Sequence, residues 1–249
     1  MKTGLMVGLL VMSIVVSNAD IRAETLTFAA AEWMPYTFVE NDQVVGSQVE
    51  MVRAICQRLG VEADIQIFPW ARVILMAQQG DVDAIFAPIK TEERMGFLDF
   101  TTEVLDIERN VLVARVGSGL KVAGLDDLRD KSIGVVRNVT YGAEFEQRTD
   151  LHKQLCTDDA KMMMMLDMER FDLAAGDEGN LKFLSKGLQH PVEVVYVLSE
   201  TPDYIGFSKA KSEARSAALA AQFSRIMRAL EQEGVLAQIR NKYMPVVVK

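Results

Sequence analysis

From residue 25 onward, short apolar runs alternate with apolar stripes at helical spacing, which predicts strand and helix in turn. Residues 25–30 (TLTFAA) read as a first strand. Residues 47–59 read as a helix whose apolar face holds Val49, Val52, Ile55, Cys56 and Leu59. Ser47 and Glu50 have capping-box spacing, and Gly60 suits a left-handed C-terminal cap. Residues 63–68 form a second strand. Pro69 and Trp70 open a helix that runs to Gln79 and stops at Gly80, and residues 82–87 form a third strand. This β-α-β-α-β order implies a parallel sheet with right-handed crossovers. In such sheets ligands bind beyond the carboxyl ends of the strands. Trp33, Trp70 and Arg94 all follow strand ends and can converge there.

The pattern restarts at Asn110 without repeating the sequence. NVLVAR reads as a strand, and LDDLRDKSIGVV as a short capped helix feeding another strand. A helix begins within residues 140–146, and residues 159–168 form a further helix. FDLAAG is a strand ending at Asp177, residues 193–197 are one more strand, and two helices over 212–233 and 235–243 break at Gly234. The restart supplies a second α/β unit.

The stretch AIFAPIKTEERMGFLDF, residues 84–100, carries the most chemistry. An apolar strand ends at Pro88, and Thr91 starts a short helix with Arg94 in its first turn. A helix N-terminus offers free N–H groups and partial positive charge. A guanidinium adds a planar fork suited to a carboxylate, so the segment is an anion seat. A surface charge paired with Glu92 or Glu93 is the plainer reading of Arg94.

The T-x-x-R before a D-F pair resembles the T-P-E-R…D-F element of the periplasmic solute-binding proteins of family 3, the polar amino-acid-binding components of ABC importers. Further landmarks keep the family's order: P-Y-T-F at 35–38, G-S-Q-V-E-M at 46–51, G-D-V-D-A-I at 80–85, L-D-D-L…I-G-V-V at 125–136, and D-E at 177–178. The resemblance implies an α/β, two-lobed periplasmic-binding-protein fold of type II. Each lobe would be a sheet flanked by helices, and two strands would form the hinge. Residues 24–112 would start lobe 1, 113–204 form lobe 2, and 205–249 return to lobe 1.

The resemblance also implies roles. Arg94 would bind a ligand α-carboxylate and Asp177 an α-ammonium, with Glu178 as the neighbouring alternative; as a plain residue, Asp177 suits a helix N-cap. Thr140 stands where the family has a Gly-Thr-Thr/Ser turn, but Asn138-Val139-Thr140 lacks the glycine. Trp33 would lie over the ligand and Trp70 touch its side chain, with Tyr36 a third aromatic candidate; all three also suit helix–sheet packing. Arg72 faces either cleft or solvent. Where many relatives carry Ser or Thr and a Gly before T-x-x-R, this chain has Phe86, Ala87, Pro88 and Ile89, and an often acidic position is Ala30, with Glu32 nearby. These departures favour a neutral or aromatic amino acid, or another small carboxylate, over a basic one.

Charge and composition narrow the classes. Lys2 followed by an uncharged run of about 13 residues, 4–16, reads as a secretion signal too short to span a bilayer, with cleavage after Ala19 or, preferably, Ala23. Residues 1–23 contain Lys2, Arg22 and Asp20, so the remainder has 25 of the 27 basic and 34 of the 35 acidic residues, a net charge of −9. That disfavours nucleic acid and anionic membranes as partners. Cys56 and Cys156 fall in different lobes and are expected as buried thiols. The Met162–Met165 run reads as adaptable core filler. Two histidines, His152 and His190, with no cysteine cluster give no metal signal, and no cofactor motif is present. The expectation is a monomeric periplasmic binding protein, not an enzyme. It would hand an amino acid or related carboxylate to an ABC-transporter permease. The alternatives are a dehydratase-like periplasmic enzyme acting on small cyclic carboxylic acids, or a ligand sensor without transport.

Overall fold

The computed structural model describes residues 24–137 and 139–244. The secretion signal expected over 1–23 lies outside them. The elements are β1 (Thr25–Ala30), β2 (Phe38–Glu40), β3 (Gln43–Val45), α1 (Ser47–Leu59), β4 (Glu62–Ile67), α2 (Trp70–Gln79), β5 (Ala84–Ile89), the single turn α3 (Glu92–Met95), β6 (Leu98–Phe100) and β7 (Asp106–Arg115). A 3₁₀ turn (Leu125–Leu128) leads into β8 (Ser132–Val136), α4 (Ala143–Gln147), β9 (His152–Cys156), α5 (Asp159–Asp167), β10 (Leu173–Asp177), α6 (Glu178–Ser185), β11 (Val192–Ser208), α7 (Glu213–Gln232) and α8 (Val235–Tyr243).

The main strands run in the order β4-β1-β5-β11-β7-β10-β8-β9, with β6 also on β11. The β1 pairings with β4 and β5 are parallel, as the β-α-β-α-β pattern requires, and so are those of β8 with β10 and β9. Two antiparallel strands, β7 and β11, pair from Arg115–Val192 to Asp106–Asp203 and continue into both halves. The two lobes therefore share one hydrogen-bonded sheet rather than owning separate ones, and the hinge is its middle. Over that hinge β11 carries an extra residue twice, opposite Leu112–Val113 and opposite Asn110–Val111. Such bulges bend and twist a ribbon.

The cores divide with the lobes. Leu26, Phe28, Ile55, Phe207 and Phe223 pack α1, α7 and α8 on one face of the first half, and Ala29, Val73, Ala77 and Ile85 seat α2 on the other. In the second half, Leu112, Ile133, Phe145 and Leu173 fill one face, and Val113, Met162, Met163, Leu166 and Phe171 the other. Two of the four consecutive methionines, Met162 and Met163, are fully buried core, while Met164 is exposed. Cys56 and Cys156 sit in separate cores as buried free thiols, and burial raises both above the usual thiol range. Asp83 anchors the return segment to the sheet. It accepts from Thr27 N at 2.9 Å, Lys211 Nζ at 3.0 Å and Arg215 Nη1 at 2.7 Å. Burial works to raise its pKa, but these donors prevail and hold it at about 2.

Several local expectations are corrected. The residue before α1 is Gly46, which has no side-chain cap, so Ser47 and Glu50 form no capping box. Glu50 is instead taken by Lys242 and Tyr243 of α8. Gly46 is required twice over: its φ is +131°, and a Cβ there would lie 2.2 Å from the Tyr36 carbonyl oxygen. The strand expected at 193–197 is the 17-residue β11, and the helix after Thr140 starts only at Ala143. The β2–β3 hairpin and β9 are additions to the sequence reading.

Candidate functional site

A cavity of about 340 Å³ lies between the two lobes. Its first-lobe wall comes from the loop after β1 (Ala31, Glu32, Trp33, Thr37), from Gln48 and Trp70 at the starts of α1 and α2, and from Phe86 and Ala87 of β5. The hinge strand β7 adds Glu108 and Asn110. The second lobe adds Val139, Tyr141, Asp159, Gly176, Asp177 and Asn180. The volume falls in the range of small-molecule sites.

The loop after β1 folds back on itself, with Tyr36 N and Thr37 N both donating to the Trp33 carbonyl at 2.8 Å. This brings the Trp33 and Tyr36 rings to 4.4 Å between centroids. Trp33 lines the cavity. Tyr36 does not; it is buried behind it and donates its hydroxyl to Asp177 Oδ1 at 2.9 Å, across the lobes.

Asp177 ends β10 and is the N-cap of α6. The same Oδ1 accepts from Asn180 N at 2.9 Å, so the N-cap and the cavity-lining readings both describe it. Its other oxygen, Oδ2, is buried without a partner. Burial, with the Glu108 charge adding to it, pushes the Asp177 pKa up to about 7 against the bonds from Asn180, Tyr36 and the Arg109 backbone. One turn on, Asn180 Nδ2 donates to the Met34 carbonyl at 2.8 Å, which leaves Asn180 Oδ1 buried and unpartnered. Glu178, the alternative to Asp177, is ion-paired with Arg109 and Lys182 and does not line the cavity.

Trp70 lines the cavity. Arg94 is not among the lining residues. It is half-buried beside Trp70, its guanidinium carbon 5.5 Å from the indole centroid, with Nη1 donating to the Ile89 carbonyl at 3.0 Å. Its backbone N–H is capped by Thr91 Oγ1 at 3.2 Å. Thr140 is exposed and outside the lining, between two residues that do line it. Gly142, not Thr140, precedes α4. Arg72 is exposed and stacks on Phe68 at 4.5 Å.

Five lining polar or aromatic residues lie in no motif quoted above, Glu108, Asn110, Tyr141, Asp159 and Asn180, and a sixth, Gln48, stands inside the G-S-Q-V-E-M landmark without having been singled out. Gln48 is fixed by donating to Asp203 Oδ2 of β11 at 3.0 Å, and Asn110 donates to Glu108 Oε1 at 3.1 Å. Burial and the facing Asp106 charge raise Asp203 well above the carboxylate range. The wall is apolar at Ala30, Phe86 and Ala87, but Glu32, Glu108, Asp159 and Asp177 make its charge acidic, and among the described residues it includes no Lys, Arg or His. An acidic lining runs against the expectation of a neutral ligand drawn from residues 86–89.

The comparisons agree with this architecture. The arginine-binding extracellular protein ArtP of Bacillus subtilis (strain 168) is 23% identical over 226 residues, covering 86% of this chain and 83% of its own. The crystal structure of the probable amino-acid ABC transporter extracellular-binding protein ytmK from Bacillus subtilis superposes with a TM-score of 0.76 at 15% identity over 91% of this chain and all of its own. A histidine kinase sensor domain with similarity to periplasmic binding proteins gives 0.68 at 23% identity, covering 92% of this chain and 99% of its own. At these identities the structures speak for the fold. The sequence profile of the bacterial extracellular solute-binding proteins, family 3, matches residues 26–246, and with a match over nearly its whole length the chain belongs to that family.

Proposed function

We propose that this protein is the extracytoplasmic capture component of an ABC importer, closing its two lobes on an amine-bearing solute of amino-acid size. The observation that carries the reading is the lining of the interlobe cavity, which sets Glu32, Glu108, Asp159 and Asp177 around the Trp33 and Trp70 rings. An ammonium group offsets the charge of carboxylates gathered in a partly desolvated space. Trp33 and Trp70 supply the aromatic walls, Tyr36 holds Asp177 in place from the opposite lobe, and Arg94 steadies Trp70 at the mouth. The moving bodies are residues 24–112 with 205–249, and residues 113–204. The protein acts as a monomer after export to the periplasm on residues 1–23, and its partner is a membrane permease. The family relatives are binding proteins, which supports capture without turnover.

The test is a thermal-shift screen of the purified protein against amino acids and their amine derivatives, with product analysis after incubation. A ligand at 100 times its dissociation constant stabilises by about 2.7 kcal/mol. A hit that Asp177→Asn removes, with the ligand recovered unchanged, supports the reading. Conversion of the ligand would make the protein an enzyme, and a hit indifferent to Asp177→Asn would move the site elsewhere.

A further inference from the structure

We propose that Gln48 meets an ammonium group of the ligand with its amide oxygen, and that Asp203, which does not line the cleft, is the positioning residue that turns the amide that way. This rests on the cleft being the ligand site.

Gln48 is held at both ends. Its backbone N–H donates to the Tyr36 carbonyl at 3.1 Å, which ties the start of α1 to the loop that carries Trp33. Its side-chain Nε2 donates to Asp203 Oδ2 at 3.0 Å. That leaves Oε1. Among the described residues Oε1 accepts no bond, yet it is not one of the side-chain atoms sealed in without a partner, which are Ser47 Oγ, Asp106 Oδ2, Asp177 Oδ2 and Asn180 Oδ1. Oε1 therefore keeps surface, in a residue that lines the cavity. An amide oxygen accepts and cannot donate, so it suits an ammonium. The bond from Nε2 to a carboxylate polarises the amide and strengthens that oxygen as an acceptor.

Asp203 is 1% exposed, and among the described residues no lysine or arginine bonds it; its second oxygen, Oδ1, takes the Asp106 N–H at 3.0 Å. Asp106 and Glu108 face it from β7 and Tyr36 from the loop after β1, while β5 sets Ile89 beside it. The Arg240–Glu231 pair stands beyond Asp106. Burial and the Asp106 charge favour the neutral acid, against the bonds from Asp106 N and Gln48. A neutral residue would serve a core hydrogen bond as well, so a carboxylate in this place points to a role at the site. Donors and acceptors define that role. The Asp106 N–H can only donate, which fixes Oδ1 as an acceptor and leaves the Oδ2 position to act on Gln48. A bare oxygen there draws Nε2 and sends Oε1 to the cleft. A donor there draws Oε1 and sends the NH2 group to the cleft, where it would confront a cation. The two ends of the amide share one outline, so the half-turn between these states leaves the packing as it is.

Asp203→Asn places a donor at that position, and Gln48→Met removes the amide. The two changes, alone and combined, are tested by calorimetric titration of L-lysine and L-arginine into the purified protein at pH 8. Each single change is expected to weaken the amino acid that binds by about tenfold, and the pair by no more than about twofold beyond either, because Asp203 acts only through Gln48. In the ligand-free protein, the Gln48 side-chain NH2 protons, followed by NMR, should exchange with water at least tenfold faster in Asp203→Asn than in the wild type. Three results overturn the proposal while leaving the cleft as the site: Asp203→Asn binding within twofold of wild type, losses that multiply in the double variant, or equal exchange in the two proteins. A wild type that binds neither probe, nor any amine in the thermal-shift screen, overturns the capture reading and the ligand contact with it, whereas the exchange rates still decide how Asp203 sets the amide.

Discussion

Asp177 divides its work between two oxygens. Oδ1 accepts from Tyr36 and from the α6 backbone, and Oδ2 is buried without a partner. The consequence is a proton-linked site. With its pKa up at about 7, the free protein holds Asp177 partly protonated at neutral pH. A carboxylate that must be ionised to meet an ammonium loses affinity as it protonates, roughly tenfold per pH unit below pH 7. Titrations between pH 5 and 8 with a cationic ligand should show that slope and a plateau above it, and Asp177→Asn should abolish the slope along with most of the affinity. The stability of the ligand-free protein has the opposite sign. The folded-state pKa lies above the unfolded one, so the contribution is present in full below about pH 4 and is lost as pH rises towards 7. Melting temperature measured from pH 4 to 8 should therefore fall more in the wild type than in Asp177→Asn. An equal fall in both would place the titration on other buried acids such as Asp106 and Asp203, whose carboxyls are also raised by burial. Sequence makes Asp177 visible because it closes an apolar strand. Asn180 escapes notice, and Gln48 goes unassigned within its landmark segment, because one polar residue in a helical turn looks the same whether it faces water or a cavity.

At the scale of elements, strands flanked by helices were legible because the strands' apolar runs are continuous and the helices between them end at Gly60 and Gly80, both at positive φ. The elements that were not legible each lack that contrast. The β2–β3 hairpin has three-residue strands turning on Asn41 and Asp42, both at positive φ, and β9 is a polar edge strand, HKQLC. In β11, Pro202 and a run of polar residues break the pattern although the strand continues through the hinge. The capping box at Ser47 failed because Gly46, not Ser47, is the N-cap, which leaves Glu50 to α8, distant in sequence. One strand hides a further device. Between Asp203–Ile89 and Ile205–Phe86, β5 has one residue more than β11, and the bulge is taken up at Ala87, whose φ is +67°. A left-handed conformation costs an L-residue about 1–2 kcal/mol. Glycine would remove that strain but add about 0.5–1 kcal/mol of unfolded-state entropy. Ala87→Gly should then leave stability unchanged or raise it by up to about 1.5 kcal/mol, whereas Ala87→Val, β-branched at positive φ, should lower it by about 1–3 kcal/mol. Denaturant titrations of the two variants check this; equal effects would mean that the bulge does not constrain residue 87.

At the scale of the molecule, two lobes with separate cores meet through β7, β11 and a few contacts across the cleft. Tyr36 reaches Asp177, Asn180 reaches the Met34 carbonyl, and the Phe38 and Phe183 rings stand 6.0 Å apart. These contacts define a closed state, and a ligand stabilises such a state only by touching both lobes. The approach is close at one point in particular. A Cβ on Gly179, in the first turn of α6, would lie 2.3 Å from the Tyr36 hydroxyl oxygen and 2.7 Å from Met244 Sδ. The methionine can move aside. Tyr36 cannot easily do so, because its ring is packed against Trp33 and its hydroxyl is bound to Asp177. Gly179→Ala should therefore leave each lobe folded and hold the lobes apart. Small-angle scattering in the presence of ligand should give a larger radius of gyration than wild type, and affinity should fall at least tenfold while circular dichroism stays the same. The effect belongs to the encounter of the lobes rather than to either core, so a second change that removes both the Tyr36 hydroxyl and the ring carbon 2.8 Å from that Cβ, Tyr36→Ala, should restore part of the compaction without restoring the hold on Asp177. A Gly179→Ala protein that compacts and binds like wild type would show that the ligand is held in a different arrangement of the lobes from this one.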